Sequence, residues 1–442
     1  MVARVVIAAP GSGHGKTTIA AGLMAALRAR GLDVSGHKVG PDFIDPSYHE
    51  LATGRPPRNL DPFLQSEELL VPLLLHGAGE LAVIEGVMGL FDGALGTEGF
   101  ASTAHVARLI DAPVVLVVDA SAASRSVAAT VLGFAKYDPG LELAGVILNK
   151  LGSQRHEDEI RAALAPTGIP VLGALRRSEN IHAPSRHLGL VPAAERATES
   201  QRLLPELASW VDAGVDLEAI VRIARGAARL GGTPWAPAVS WDGPRRIVAS
   251  AAGSAFTFRY TETAELLAAH GIDLVDLDPL RDKTLPDGCA GLYFGGGFPE
   301  VHVEELSANV PLREEIAAAV HSGIPVVAEC AGLLYLCREL DGQPMVGALD
   351  AVARMTKRGA LGYRKALAPA AHLLGEAGTR VTGHEFHRTE VLPRQGKTPA
   401  WEWDGTGEGF ATPTLHASYL HVHWAGHPGL AGRFAAAVHA YE

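Results

Sequence analysis

"VVIAAPGSGHGKTTIAAGL", residues 5–23, decides how the first half of the chain is read. An apolar, partly β-branched run, Val5 to Ala9, gives way to a turn holding Gly11, Gly13 and Gly15, and then to a helical pattern led by Lys16, Thr17 and Thr18. Strand, glycine-rich turn and helix in that order wrap backbone N–H groups around phosphates; the lysine neutralises the terminal phosphates and Thr17 ligates Mg²⁺. The expected ligand is a nucleotide with its Mg²⁺. The usual loop GxxxxGK(S/T) has glycine where this chain has Pro10, so the match is imperfect. Moved back by one residue, the loop runs from Ala9 to Gly15 and is one residue longer.

Outward from this loop, short apolar runs alternate with helical patterns: "RVVIAA", "DVSGHKVG", "LAVIEGV", "APVVLVVDA", "LAGVILNK" and "IPVLGAL". Such alternation predicts a mainly parallel sheet covered on both faces, with ligands at the carboxyl ends of its strands. Residues 193 to about 230 read as helices without a chemical motif. A Gly-, Pro- and Trp-rich stretch follows, and a second α/β alternation begins at "RIVASAAGSAF". The expected organisation is α/β throughout: a phosphate-loop domain over 1–230, a linker over 231–244 and a second α/β domain over 245–442.

Composition narrows the function. Lys plus Arg number 38 against 49 Asp plus Glu, a formal net charge of −11, which argues against a nucleic-acid partner and requires locally basic compensation for any acidic substrate. Lys38, Arg55 and Arg58 are the candidates for that compensation. The three cysteines, Cys289, Cys330 and Cys337, make neither a disulfide framework nor a four-ligand zinc site, which fits a reducing cytoplasm. No apolar run reaches the roughly 18 residues of a membrane span, and the N-terminal run is unlike a signal peptide. The sequence leaves the oligomeric state open, a homodimer included.

Three further stretches of the first half carry chemistry. "HKVGPDFIDPSYH" places Asp42 and Asp45 between Pro41 and Pro46, hence on a turn rather than a helix face, where two carboxylates suit a Mg²⁺ site or plain solvation equally. "LAVIEGVMGLFDG" ends a buried strand on Glu85, a costly position unless the carboxylate meets a cation, and a metal-facing role is expected. "ILNK" ends another strand on Asn149, whose amide is a weak candidate for reading an adenine edge.

In the second half, "VVAECAGLLYL" sets Cys330 between a buried strand and an apolar helix, where a helix dipole would favour thiolate. "LYFGGGFPE" supplies Gly295, Gly296 and Gly297 as N–H donors for an oxyanion, with Ala331 beside the thiol as another. "HASYLHVHWAGHP" supplies His416, His421, His423 and His427, as a base or as metal ligands. Cysteine, histidine and N–H donors are the parts of acyl transfer from an amide. A buried core thiol is the commoner fate of a cysteine, and Cys330 alone does not decide between them.

Taken in series, "SGHGKTT", "HKVGPDFIDPSYH", "IEGVMGLFDG", "FGGGFPE", "AECAGLLYL", "GHEFH" and "SYLHVHW" resemble the cobyrinate and hydrogenobyrinate a,c-diamide synthase family over nearly the whole chain. The first half is similar to dethiobiotin synthetase, the second to class I glutamine amidotransferases. The resemblance implies that ATP activates a corrinoid acetate as an acyl phosphate, and that ammonia released from glutamine displaces the phosphate. It implies Cys330 as nucleophile and His421 as proton shuttle. It assigns Asp42, Asp45 and Glu85 to Mg²⁺-ATP or carboxylate activation, and Phe43 and Ile44 to placing the macrocycle. Two positions depart from the amidotransferase pattern. Ala328 stands where the elbow GxCxG starts with glycine, and His423 stands where most class I domains carry a glutamate. The partner that orients His421 is therefore unassigned, and slow glutamine hydrolysis is expected. Nickel-sirohydrochlorin a,c-diamide synthase and cobyric acid synthase are the near alternatives. A partitioning-type nucleotide switch is the distant one, disfavoured because its extra early-loop lysine is Gly11 here and because it lacks a Cys–His domain.

Overall fold

The computed structural model describes residues 2–177 and 201–442, and the backbone alone of 185–186, 189–190 and 197–200. Residues 193–196, the start of the expected helical stretch, lie outside them. The chain divides into two compact units, Met1–Ala236 and Pro237–Glu442.

In the first unit, β1 (Ala3–Ala8), β2 (Val34–Val39), β3 (Arg58–Leu60), β4 (Leu81–Glu85), β5 (Val114–Asp119), β6 (Leu143–Leu151) and β7 (Val171–Arg176) form one sheet in the order β3-β2-β4-β1-β5-β6-β7. Every pairing is parallel. All six residues of β1 are buried, as a strand covered on both faces requires. The six strands read from the sequence are present; β3 was not foreseen, because three residues of the type Arg-Asn-Leu carry no apolar pattern. Helix α1 (Lys16–Ala29) turns Ile19, Leu23 and Leu27 into a core completed by Val211, Leu217 and Ile220 of the helices Ala197–Gly214 and Leu217–Gly226. Those helices thus cover the β1 side of the sheet. A two-residue antiparallel pair, β8 (Ser185–Arg186) and β9 (Gly189–Leu190), is separate from it.

One expectation fails here in a useful way. Residues Ile44–Thr53 are a helix, α2, not a turn, and Asp45 lies in its first turn. Pro46 is tolerated there because the amides of a first turn have no intrahelical acceptor. Asp42 stands outside, its Oδ1 accepting from the N–H of Ile44 at 2.7 Å and of Asp45 at 3.3 Å.

The second unit has two sheets. β10 (Arg246–Ala251), β11 (Ile272–Leu277), β12 (Cys289–Phe294) and β13 (Val326–Glu329) are the strands read from sequence. A second sheet begins with β14 (Glu339–Leu340), β15 (Gln343–Pro344), β16 (Val352–Leu367), β17 (Arg380–Leu392), β18 (Trp401–Trp403) and β19 (Thr406–Glu408), and β20 (Phe410–Ala411), β21 (Leu415–Ser418) and β22 (His421–Val422) complete the unit. The first sheet runs β11-β10-β12-β13-β21-β20 and the second β15-β14-β16-β17-β22, with β18 on β16 and β19 on β18. The long β16–β17 hairpin escapes sequence reading because its register shifts between Met355 and Ala360 and only two residues of β16 are buried, so no two-residue period marks a core face. The chain leaves the β13–β21 sheet at Ser418 and enters the hairpin sheet at His421, so two residues join the two sheets.

Among the described residues no helix is long and apolar enough to cross a membrane.

Candidate functional site

The phosphate loop joins β1 to α1. Gly13 and Gly15 take φ values of +83° and +91°. At Gly15 a side chain is barred for a second reason: a Cβ would stand 2.4 Å from Asn149 Nδ2. That amide donates to the His14 carbonyl at 2.9 Å, Lys150 Nζ donates to the Gly13 carbonyl at 2.8 Å, and His14 Nδ1 accepts the Asp119 N–H at 2.9 Å. Strand ends β5 and β6 therefore brace the loop from beneath. Asn149, read as an adenine contact, spends its amide on the loop in this structure. Lys150, held also by Asp119 at 2.7 Å, was missed, although its place directly after Asn149 at a strand end was the available signal.

Lys16 Nζ is held by the carbonyls of Met88 at 2.5 Å and Gly11 at 3.2 Å. Burial, with Lys38 nearby, lowers its ammonium to about 8. Beside it, three elements converge. Thr17 Oγ1 from α1 lies 2.6 Å from Glu85 Oε1 at the end of β4 and 3.1 Å from Asp45 Oδ2 in α2. Lys38 Nζ, from β2, donates to Asp45 Oδ2 at 2.6 Å, Glu85 Oε1 at 3.1 Å and the Gly86 carbonyl at 3.0 Å. His49 Nε2 closes the far side against Glu85 Oε2 at 2.7 Å.

The cation that Glu85 was expected to need is thus a lysine of the chain itself. Burial opposes its ionisation, but Lys38, His49 and Thr17 outweigh burial and hold the Glu85 carboxyl below the usual range. Burial also works against the Lys38 ammonium; Asp45 and Glu85 reverse it and raise Lys38 above its ordinary value. Burial, Asp42 and Glu85 push Asp45 well up, against the pull of Lys38. Lys38, expected to compensate an acidic substrate, is 2% exposed here and its ammonium is engaged by Asp45, Glu85 and the Gly86 carbonyl. Arg55 pairs with Asp33 at 2.9 Å and Arg58 is buried, so neither offers an open cationic surface. Phe43 and Ile44 are buried as well. Asp42 stands at the rim, its Oδ2 3.9 Å from Lys38. Thr17, Asp45 and Glu85 are the oxygen donors brought together. A hydroxyl and two carboxylates form a hard donor set of the kind Mg²⁺ shares with nucleotide phosphates. Thr18 lies in the first turn of α1, one residue beyond Thr17.

In the second unit the chain turns at Cys330, which directly follows β13 and adopts φ +48°. Ala328 stays in the strand, paired with Phe294 and Ala417, so the glycine of the usual elbow is not needed at that position. A non-glycine residue at positive φ stores strain, as nucleophile elbows do. The Cys330 N–H donates to the Ser418 carbonyl at 2.8 Å, and Ser418 Oγ donates to the buried Glu408 at 2.6 Å. The expectation of a dipole-stabilised thiolate is not met. The helix Ala331–Leu336 has only six residues, and burial, with Glu300, pushes the thiol well up despite the Ala331 N–H directed at it.

His421 is 1% exposed, and burial, then His387, lowers it to about 3. Its ring stacks on His384, its neighbour in the β17–β22 register, with centroids 4.9 Å apart. A Cβ on Gly296 would fall 2.5 Å from His421 Cε1, so the glycine turn and the histidine adjoin. The oxyanion assignment needs one correction: the Gly296 N–H already donates to the Phe258 carbonyl at 3.1 Å. Gly297 and Ala331 remain as donors. The four histidines diverge. His416 packs against His372 and Trp401, His423 faces Glu262 at 3.4 Å, and His427 bonds Thr382. Among the described residues no three His, Cys, Asp or Glu side chains form a metal site.

Family models match both halves: a CobQ/CobB/MinD/ParA nucleotide binding domain over residues 5–191, and a CobB/CobQ-like glutamine amidotransferase domain over 247–429. The chain is 58% identical to hydrogenobyrinate a,c-diamide synthase of Thermobifida fusca, covering 98% of this chain and 96% of the relative. The chain belongs to the a,c-diamide synthase family. Within that family it is 55% identical to the hydrogenobyrinate enzyme of Streptomyces coelicolor, over 98% of this chain and 97% of the relative. It is 42% identical to the cobyrinate a,c-diamide synthase of a Synechococcus strain, over 97% of each. Membership in the synthase family accounts for both halves at once, a nucleotide-binding fold and a glutamine amidotransferase fold.

Proposed function

We propose that the protein is an ATP- and glutamine-dependent ligase that amidates the a and c acetate carboxylates of hydrogenobyrinate in cobalamin biosynthesis, acting in the cytoplasm. The observation that carries this reading is the presence, on one chain, of a phosphate loop with two carboxylates at its threonine and a strained cysteine elbow whose preceding residue, Glu329, lies 4.0 Å from the buried His421. The higher identity to relatives named for hydrogenobyrinate than to the Synechococcus relative supports the metal-free acceptor.

In the ATP half, an acetate oxygen attacks the γ-phosphorus, the bond to ADP breaks, and an acyl phosphate forms. Lys16 stabilises the charge that gathers on the transferred group. Thr17, Asp45 and Glu85 would hold Mg²⁺, which when bound neutralises phosphate charge. Lys38 keeps Glu85 ionised without a metal, so the donor set is formed before nucleotide arrives. Ammonia then attacks the acyl carbon and phosphate leaves.

In the glutaminase half, the Cys330 thiol passes its proton to His421 as sulfur attacks the glutamine amide carbon. The leaving ammonia takes that proton, and water hydrolyses the thioester to glutamate. Gly297 and Ala331 N–H groups face the oxyanion.

The test is to incubate purified protein with ATP, Mg²⁺ and glutamine, offering hydrogenobyrinate, cobyrinate and nickel-sirohydrochlorin separately, and to weigh the products. Two amides on hydrogenobyrinate at the highest kcat/KM are expected. Preference for either metal-bearing ring overturns the choice of acceptor.

A further inference from the structure

The sequence leaves His421 without the glutamate that orients the histidine in most class I domains, because His423 occupies that place and faces Glu262. Another carboxylate approaches His421 from a different strand. Glu329, the residue immediately before Cys330, is 5% exposed, and its Oε2 lies 4.0 Å from His421 Nδ1. We propose that Glu329 is the positioning residue of the glutaminase centre: it holds the His421 ring through Nδ1 so that Nε2 is the atom that accepts the thiol proton. The proposal rests on the assignment of Cys330 and His421 above.

Two observations support it. Glu329 is fixed by the fold, since β13 pairs with β21 in the register Glu329 to Ser418 and the Val422 N–H, Trp424 and Tyr293 bear on its carboxyl. The His421 ring is confined on its other sides, stacked on His384 and abutting Gly296, so a partner at Nδ1 sets the remaining freedom, its choice of tautomer. Because Glu329 and Cys330 are consecutive, one strand end places both the nucleophile and the group that aims its base.

A purely structural role and a positioning role are separated by Glu329→Gln and Glu329→Asp in the full-length protein. Glu329→Gln keeps the shape and loses the charge. Its glutamine-dependent kcat should fall about 10²-fold or more, with KM for glutamine within about threefold, and ammonia-dependent amidation should be retained. Glu329→Asp should recover part of the lost kcat. Inactivation by a diazo-ketone analogue of glutamine, which reads nucleophile activation without the ATP half, should slow in parallel. Glutamine-dependent kcat above half of wild type in Glu329→Gln overturns the proposal. So does a loss shared equally by ammonia- and glutamine-dependent amidation, or a Glu329→Asp variant no better than Glu329→Gln. If Glu329→Gln does not fold, Glu329→Asp carries the test alone, through its kcat and inactivation rate. Failure of the underlying assignment looks different: Cys330→Ser would then still use glutamine.

Discussion

Lys38→Met separates an internal counter-ion from a substrate contact. Methionine fills the space of the lysine stem and removes the ammonium, whose side chain is only 3% exposed between Asp45 at 2.6 Å and Glu85 at 3.1 Å. Removing one member of a buried ion cluster leaves the others uncompensated, a loss of about 3–5 kcal/mol. For a unit of this size 1 kcal/mol shifts Tm by about 2–4 °C, so the N-terminal transition should drop by about 6–20 °C. The sign of the pH dependence follows. In the wild type Glu85 is held below its usual value, so its contribution is present above the unfolded carboxylate value and is lost as the pH falls through the folded one. Without Lys38 both carboxylates bind protons more tightly when folded than when unfolded, so the variant loses stability as the pH rises. The gap to wild type should therefore widen from pH 5 to pH 8 in scanning calorimetry. A variant that melts within about 2 °C of wild type and shows only a raised KM for the corrinoid would refute this reading and return Lys38 to the substrate.

Cys330→Ser should lower glutamine-dependent amidation by at least about 10³-fold while leaving the ammonia-dependent reaction largely intact; loss of both in folded protein counts against the division of labour. Gly15→Ala forces a Cβ to 2.4 Å from Asn149 Nδ2 at a φ of +91°, and should raise KM for ATP about tenfold with little change in KM for glutamine; an unchanged ATP KM shows that the loop can shift freely. Because burial and Lys38 lower Lys16 to about 8, nucleotide binding above that pH should draw a proton onto the lysine. Calorimetry at pH 8.5 in buffers of different ionisation enthalpy should record that uptake in wild type and not in Lys16→Ala, and equal values for the two proteins would exclude it. Asp45→Asn should still bind ATP yet fail to form diamide, since a carboxylate at Thr17 matters more during transfer than in the ground state; wild-type diamide yield would withdraw Asp45 from the site.

The doubly covered sheet, the phosphate loop and the cysteine turn are legible because their signals are local. A buried parallel strand is a continuous apolar run, and a phosphate loop or a cysteine elbow sits where such a run stops. What escaped depended on the period assigned to a segment. The stretch from Pro41 to Pro46 reads as a turn because prolines flank Asp42 and Asp45, yet Pro46 lies within the first turn of α2, where its missing N–H costs nothing. Read as helix, Asp45 and His49 fall four residues apart on one face. Both in fact meet the Glu85 cluster, Asp45 through Thr17 and Lys38 and His49 directly. The turn reading hid the histidine, and with it the buried acids that engage Lys38.

The glutaminase half fails to disclose its orienting carboxylate for a different physical reason. A partner two residues along a strand can be sought by spacing, because the alternation of side chains fixes which residues share a face. Glu329 and His421 instead belong to strands of different sheets, and only the two-residue crossing from β21 to β22 brings them to 4.0 Å. No periodicity within either strand encodes that meeting. What the sequence does hold is an acid at the last position of an otherwise apolar strand, "VVAE", directly before the nucleophile. The signal that singled out Glu85 is present here too: an acid buried at a strand's carboxyl end needs partners, and at Glu329 those within reach include, 4.0 Å away, the histidine proposed to take the thiol's proton.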